Sequence, residues 1–229
     1  MAIAIVTGGG TGIGAATAEA LDKVGHDVVA IGLDRSGELP DHIRFEQMDL
    51  TDTSAINGLF SQFSEISALV NCAGILMHKQ EWEPENFSKV LDINLTTTLK
   101  CSNAAKDGLA KARGAIVNVA SMWSYFGSAG SPAYATSKAG VVALTRSCAV
   151  AWAPLGIRVN AVAPGWIETR LSANARNDQE RVSKINARIP MSRWGTTAEI
   201  ASVISFLTSQ DAAYITGALL PIDGGYSIA

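Results

Sequence analysis

The opening of the chain constrains its fold more than any other stretch. An apolar run over residues 2–6 suits a strand buried on both faces, and a glycine-rich loop follows from Thr7 to Gly14. Apolar residues then recur at helical spacing up to Val24. Glycines permit positive φ and close approach of a ligand, and a helix N-terminus attracts anions. The alternative is a plain flexible turn, but the position between a strand and a helix favours a pyrophosphate-binding loop.

Segments typical of strands and helices alternate along the rest of the chain. Further strands are predicted at residues 28–31, 43–48, 67–74, 115–120, 156–162 and 218–222. Helical patterns are found over residues 56–63, 84–113, 132–152 and 199–207. Only about a dozen residues separate the second and third strands, so a helix between them must be short or missing. This order predicts an α/β protein with a doubly wound parallel sheet of about seven strands and helices on both faces.

Composition limits the class of protein. With 229 residues and 48% hydrophobic content, one domain over residues 1–229 can bury a sizeable core. The net charge is −3 without a run of basic residues, which argues against nucleic-acid and membrane partners. The longest apolar stretch, residues 139–155, is interrupted by Arg146 and is too short to span a bilayer.

The cysteines and the N-terminus bear on the cellular compartment. Three cysteines lie in apolar surroundings without metal-ligand spacing: Cys72, Cys101 and Cys148. This pattern is typical of buried, reduced thiols and predicts no metal site. A strand that begins almost at Met1 leaves no room for a signal peptide. We therefore expect a soluble cytoplasmic protein.

The stretch from Ser121 to Lys138 carries the candidate chemistry. Pro132 is well placed for the first turn of a helix, which would set Tyr134 and Lys138 on one face, four residues apart. A phenol has an ordinary pKa of about 10, and a neighbouring ammonium lowers it. Ser121 follows a predicted strand and could hold a substrate oxygen beside the phenol. The pattern suits proton transfer to an alcohol or ketone; the alternative is an ordinary amphipathic helix.

Two further polar residues have both a structural and a functional interpretation. Asn94 lies inside the predicted helix 84–113, either facing solvent or marking a local kink with a functional amide. Asp34 lies 20 residues after Gly14, where a dinucleotide fold has a ribose-binding carboxylate; otherwise it is a turn residue beside Arg35. No residue of the glycine loop is basic, so we expect NAD(H) over NADP(H), with Arg35 as the group that would favour a 2′-phosphate.

Several ordered motifs together resemble the short-chain dehydrogenase/reductase family over nearly the whole chain. The loop Thr7-Gly8-x-x-x-Gly12-x-Gly14 resembles its cofactor loop, and residues 71–74 (Asn-Cys-Ala-Gly) resemble its Asn-x-Ala-Gly turn. Four residues match its catalytic tetrad in order and spacing: Asn94, Ser121, Tyr134 and Lys138. The chain is shorter than usual, mainly between strands two and three.

The resemblance implies a single-domain Rossmann fold and roles for the matched residues. Tyr134 would be the general acid/base, Ser121 would bind the substrate oxygen, and Asn94 would support a water relay. Lys138 would bind the nicotinamide ribose and lower the pKa of Tyr134. Together with Asp34, the implied cofactor-binding residues are Gly8, Thr11, Gly12, Ile13, Gly14, Asp49, Leu50, Asn71, Ala73, Gly74, Tyr134, Lys138, Pro164, Gly165, Ile167 and Thr169.

Three functions remain open. The first is an NAD(P)-dependent oxidoreductase that interconverts a secondary alcohol or polyol and a ketone. The second, reduction of a 3-oxo group on an acidic acyl carrier protein, calls for a basic patch, whereas the arginines are dispersed at 146, 170, 176 and 193. The third is a cofactor-sensing protein without catalysis, which should lack a member of the tetrad; this chain lacks none.

The substrate contacts, a candidate lid and the oligomeric state follow from weaker patterns in the sequence. Substrate contacts are expected from Ser121, Tyr134, Trp123 and Trp166. Aromatic walls favour a neutral cyclic ketone or a polyol as substrate; the alternative is that the indoles only pack in the protein interior. The polar, irregular stretch 170–193 is the candidate for a mobile lid.

Residues 139–152 are apolar or small on nearly all sides, which predicts a homo-oligomer. The homotetramer is implied by the resemblance alone.

Overall fold

The computed structural model describes residues 3–37 and 39–229 and contains one parallel sheet. Its seven strands run in the order β3-β2-β1-β4-β5-β6-β7, and every neighbouring pair is parallel. The strands are β1 (Ile3–Thr7), β2 (Asp27–Gly32), β3 (Arg44–Gln47), β4 (Ala68–Asn71), β5 (Ala115–Val119), β6 (Arg158–Pro164) and β7 (Leu219–Ile222). The predicted doubly wound sheet is confirmed. Ala2, where the first strand was expected to begin, lies outside the described residues.

Eight α-helices connect and cover the strands in the described part of the chain. They are α1 (Gly12–Lys23), α2 (Thr53–Phe60), α3 (Pro84–Leu91), α4 (Thr97–Ala112), α5 (Pro132–Trp152), α6 (Ala173–Arg176), α7 (Gln179–Asn186) and α8 (Thr197–Thr208). Among residues 33–37 and 39–43 no helix links β2 to β3, as their short spacing predicted. No helix in the described ranges has both the length and the apolar character needed to cross a bilayer.

Alternation within the strands produces a core on each face of the sheet. In β1, Ala4 and Val6 point to one face and Ile5 to the other. The first face is covered by α1 and α8, and the second by α2, α4 and α5. Because both faces are buried, the strands β1, β2, β4, β5 and β6 are mainly apolar, which is why they could be predicted from sequence; the edge strand β3 is more polar and exposed.

Two predicted segments differ from expectation. Residues 84–113 are not one helix, because a π-helical turn at Asp92–Thr96 separates α3 from α4. Residues 170–193 are not irregular throughout, since they contain α6 and α7. Asp178 caps α7 by accepting a hydrogen bond from the Arg181 backbone N–H. Ala175 and Ile185 then bury their side chains in a small apolar cluster, which orders the segment.

Candidate active site

The loop between β1 and α1 has a backbone that requires glycine. Gly8 and Gly12 have φ values of 64° and 53°, in the left-handed region. A Cβ on Gly14 would overlap the carbonyl oxygen of Gly8. Thr11, the N-cap of α1, forms no side-chain capping bond, so its hydroxyl does not occupy the helix N-terminus. The loop therefore lets a phosphate approach the positive end of α1 closely.

A cleft of about 210 Å³ opens beside this loop at the carboxyl ends of the strands. The predicted cofactor residues that line it are Gly8, Thr11, Asp34, Asp49, Leu50, Ala73 and Gly74. Polar residues of the lining are Thr11, Asp34, Asp49, Thr51, Thr97 and Arg170. This arrangement fits the adenosine half of a dinucleotide.

An ion pair joins two residues that line the cleft. Arg170 Nη2 lies 2.8 Å from Asp34 Oδ2, with side-chain exposures of 74% and 61%. Arg35, which sequence reasoning had singled out beside Asp34, instead lies 2.8 Å from Asp41 and also donates to Pro40 O. Sequence offers no signal for the Arg170 contact, because 136 positions separate the two partners.

Among the other predicted cofactor residues, one has its side chain beside the glycine loop and two have buried side chains. Thr169 lies opposite the loop, since a Cβ on Gly12 would be 3.6 Å from its Cγ2. Asn71 is different: its amide donates to Asn118 and Ser102 in a buried polar network. Its Oδ1 has no hydrogen-bond partner among the described residues, and the contact of Asn71 with a ribose stays a prediction. Ile167 likewise buries its side chain in the core.

Three more predicted cofactor positions, Ile13, Pro164 and Gly165, are not among the residues that line the cleft, whereas Asp49 is. Ile13 packs against the core from the first turn of α1, and Pro164 is the last residue of β6. Gly165 approaches Asp223 so closely that a Cβ would lie 2.7 Å from the Asp223 Cα. Asp49 is exposed, and hydrogen bonds from Thr51 lower the pKa of its carboxyl.

The structure brings Ser121, Tyr134 and Lys138 together as predicted. Tyr134 and Lys138 are one turn apart on α5, with Lys138 Nζ 5.6 Å from the phenol ring centroid. Ser121 follows β5, its Oγ accepts from Trp123 N at 3.2 Å, and the side chain lies near enough to the phenol to lower its pKa. A Cβ on Gly74 would lie 3.5 Å from Lys138 Nζ, which joins this cluster to the cleft. The geometry suits transfer of a proton to a small oxygen-bearing substrate.

The electrostatics of the cluster correct one expectation. Lys138 was predicted to lower the pKa of Tyr134, but burial raises that pKa to about 12. The nearby Ser121 lowers the pKa of Tyr134, and the electrostatic effects of Cys72 and Glu81 raise it, each less strongly than burial. Burial also lowers the pKa of Lys138 to about 8, and its Nζ donates to Val119 O at 2.7 Å. Loss of water is the largest cause of both shifts, because it disfavours the charged form of each group.

Asn94 occupies the π-helical turn, which answers the question left open by the sequence. Its side chain is 0% exposed, so the solvent-facing alternative is wrong. Oδ1 accepts from Ile75 N at 2.8 Å, and Nδ2 donates to Ile75 O at 3.0 Å and Ser137 Oγ at 3.1 Å. The insertion turns this amide inward, next to Gly74.

The predicted aromatic walls belong to a small apolar cluster. Trp123 and Trp166 pack against residues of the 170–193 segment, and the ring centroids of Trp166 and Trp194 are 5.1 Å apart. Arg181 lies over the Trp166 ring at 5.9 Å. Much of each indole thus supports α6 and α7, and substrate contact by the remainder stays a prediction.

Comparison with known proteins agrees with this geometry. A family model described as enoyl-(acyl carrier protein) reductase matches residues 8–227. The chain is 38% identical to 3-oxoacyl-acyl-carrier-protein reductase of Vibrio cholerae, over 97% of this chain and 96% of that protein. It is also 38% identical to cis-4-hydroxycyclohexanecarboxylate dehydrogenase of Sinomonas cyclohexanicum, over 98% and 96%.

A solved structure shows the same architecture with a cofactor. It is an Agrobacterium tumefaciens protein, provisionally assigned as a 2-deoxy-D-gluconate 3-dehydrogenase, with bound NADP. The TM-score is 0.90 at 34% identity, covering 98% of this chain and 96% of that one. The chain belongs to the short-chain dehydrogenase/reductase family. It is an NAD(P)-dependent oxidoreductase that acts on CH–OH groups.

Sequence reasoning missed two groups in this short-chain dehydrogenase/reductase site. Cys72, in the Asn-Cys-Ala-Gly turn, was treated only as a buried thiol; burial raises its pKa to about 11, and Lys138 lowers it less strongly. Glu81 is 0% exposed and accepts a hydrogen bond from the Tyr134 backbone. Nothing in its local sequence distinguishes it from the neighbouring surface acids Glu83 and Glu85.

Proposed function

We propose that this protein interconverts a secondary alcohol or polyol and a ketone, with Tyr134 as the general acid/base. The observation that carries the proposal is the cluster of Tyr134, Ser121 and Lys138, which adjoins the cleft through Gly74. We also propose that the tetrad and the cleft belong to a single domain over residues 1–229. A complete tetrad argues against a cofactor-sensing protein without catalysis.

Each member of the tetrad has its own role in the proposed reaction. Bound NAD(P) would supply or accept the hydride. Ser121 holds the substrate oxygen while Tyr134 donates a proton to it in ketone reduction and takes it back in alcohol oxidation. A raised pKa keeps the phenol protonated near neutrality, the form that ketone reduction needs. Lys138 binds the ribose, and Asn94 supports a water relay to Lys138.

For the cofactor we propose NAD(H) rather than NADP(H). Asp34 lines the cleft where the adenosine ribose belongs, and a carboxylate accepts from a 2′-hydroxyl and repels a 2′-phosphate. Arg170 opposes this preference because it pairs with Asp34 at the same place. Both side chains are exposed, so solvent weakens each effect, and the preference should be modest.

Reduction of an acyl-carrier-bound 3-oxo group is the second candidate, favoured by the similarity to the Vibrio cholerae reductase. Such a partner is acidic and requires free basic side chains. Several in the 170–193 region are already in ion pairs: Arg170 with Asp34, Lys184 with Glu180, and Arg193 with Glu199. A small alcohol or ketone therefore ranks first.

We also propose an oligomeric state and a cellular compartment for this protein. Exposed apolar or small residues on α5, among them Ala143 and Val150, support a homotetramer with this helix in an interface. Three free cysteines support a reducing compartment, the cytoplasm.

A substrate panel tests the reaction. Sugars, sugar acids, cyclic alcohols and 3-oxo esters are screened with both cofactors by nicotinamide absorbance. Tyr134→Phe should lower kcat on the best substrate by about 10²–10⁴-fold, because the positioned acid/base is lost. Cofactor affinity and the circular dichroism spectrum should be nearly unchanged. Tyr125→Phe is the matched control. A Tyr134→Phe variant that keeps more than about a tenth of kcat contradicts the assignment.

A further inference from the structure

A buried carboxylate outside the predicted site contacts the helix that carries the phenol. Glu81 Oε2 accepts from the backbone N of Tyr134 at 2.8 Å, and Oε1 accepts from the backbone N of Met77 at 2.9 Å. The ion pairs between described residues include none with this carboxylate. Burying an acid without a cation is costly, so backbone donors are its compensation.

The Tyr134 N–H lies in the first turn of α5, where helix N–H groups have no partner within the helix. Ser131, the N-cap, makes no side-chain capping bond, and Pro132 has no N–H. Glu81 supplies the missing acceptor from 53 positions away. Its charge is also placed at the positive end of the helix dipole.

The segment around Glu81 is attached to the residues that precede α5. Three further contacts join them: Lys79 N to Gly130 O at 2.6 Å, His78 Nδ1 to Ser131 Oγ at 3.1 Å, and Trp82 Nε1 to Ala129 O at 3.0 Å. At the other end, Asn94 binds both backbone groups of Ile75. The segment therefore bridges two members of the tetrad.

We propose that Glu81 is a positioning residue for proton transfer, which fixes the backbone of Tyr134 and sets a negative charge at the start of its helix. The proposal rests on the proposed function, in which Tyr134 is the acid/base. Both carboxylate oxygens of Glu81 accept hydrogen bonds from backbone N–H groups, so Glu81 does not contact the substrate. It affects proton transfer only through Tyr134.

The electrostatic surroundings of the phenol support this role. The groups that face Tyr134 are Ser121 after β5, Cys72 after β4, Lys138 on α5, and Glu81. Burial raises the pKa of the phenol most, and the charge of Glu81 adds to the rise. An uncharged side chain of the same size at position 81 should therefore lower the pKa of Tyr134.

Glu81→Gln tests the charge, and Glu83→Gln is the matched control because Glu83 is exposed and two residues away. With the best substrate of the panel, Glu81→Gln should lower kcat by about tenfold or more while cofactor Kd stays within about threefold. The inflection of log kcat against pH should move down by about half a unit or more. Glu83→Gln should change neither.

The Glu81→Asp variant separates the effect of the charge from the effect of side-chain length. It keeps the charge on a shorter side chain, so the pH inflection should stay near that of the wild type while kcat falls. It also serves if Glu81→Gln does not fold. A fall in kcat without a shifted inflection in folded Glu81→Gln would reduce Glu81 to a purely structural residue and overturn the proposal.

Amide hydrogen exchange tests the anchoring without any substrate. In Glu81→Gln the peptide at the start of α5 should exchange about tenfold faster than in the wild type, because the charge-assisted bond to Tyr134 N is weakened. Wild-type exchange there would overturn the proposal. A panel without any turnover would contradict the proposed function and leave this exchange result as it stands, so the two failures are distinguishable.

Discussion

At the scale of single residues, burial of Lys138 couples stability to pH. Burial lowers its pKa in the folded protein to about 8 from an ordinary 10.5. Between these values the unfolded chain holds a proton that the folded chain has released, so stability rises with pH across this window. Below it, the buried ammonium imposes its full cost.

The Lys138→Met variant isolates this effect. Relative to the variant, the free energy of unfolding of the wild type should rise by up to about 1.4 kcal/mol per pH unit from about pH 8 to about pH 10. Urea denaturation without added dinucleotide measures it. Equal slopes for both proteins would show that Lys138 has an ordinary pKa when folded.

Cofactor choice is also decided by single residues. Arg170→Ala should weaken binding of NADP⁺ by about three- to tenfold more than that of NAD⁺, since it removes a cation from the ribose end of the cleft. Asp34→Ala should act in the opposite direction. Calorimetric Kd values of both dinucleotides measure the change without turnover.

Arg35→Ala is the matched control for Arg170→Ala, because Arg35 is held by Asp41. If Arg35→Ala changes the discrimination more than Arg170→Ala, the Arg170 contact does not govern it. A tenfold preference of the wild type for NADP(H) in kcat/KM, on the scale of about 1.4 kcal/mol, would refute the choice of NAD(H).

At the scale of elements, the π-helical turn between α3 and α4 positions the segment that precedes α3. Asn94→Ala removes three hydrogen bonds and leaves both backbone groups of Ile75 without these partners. Unfolding free energy should fall by about 2–4 kcal/mol. Chemical denaturation measures this, with Asn103→Ala on the exposed face of α4 as control. A loss below about 0.5 kcal/mol would contradict the role of the turn.

At the scale of the whole molecule, the exposed side of α5 predicts association. Val150 is 80% exposed on a helix whose outer face also presents Ala139 and Ala143. Light scattering at micromolar concentration should give about four times the 24.0 kDa chain mass. Val150→Arg should yield smaller species, whereas Val24→Arg, at the end of α1, should not. A monodisperse wild-type monomer would exclude the oligomer.

The sequence alone determined the sheet and the glycine-rich loop after the first strand, and it predicted the four tetrad positions. Buried parallel strands are apolar throughout, and glycine loops and helices carry local patterns, so each element could be recognised within a short window. The tetrad was predicted because its motifs resemble a known family, not because its contacts could be derived. Even Asn94 was recognised as exceptional, because asparagine is a poor helix former.

Tertiary structure alone decided how those elements act on one another. The pairing of Arg170 with Asp34 and the bond from Tyr134 N to Glu81 join residues 136 and 53 positions apart, which no local pattern encodes. Desolvation likewise depends on the packed environment. It raises the pKa of Tyr134, opposite to the direction expected from the nearby Lys138, because burial removes the water that would stabilise the phenolate.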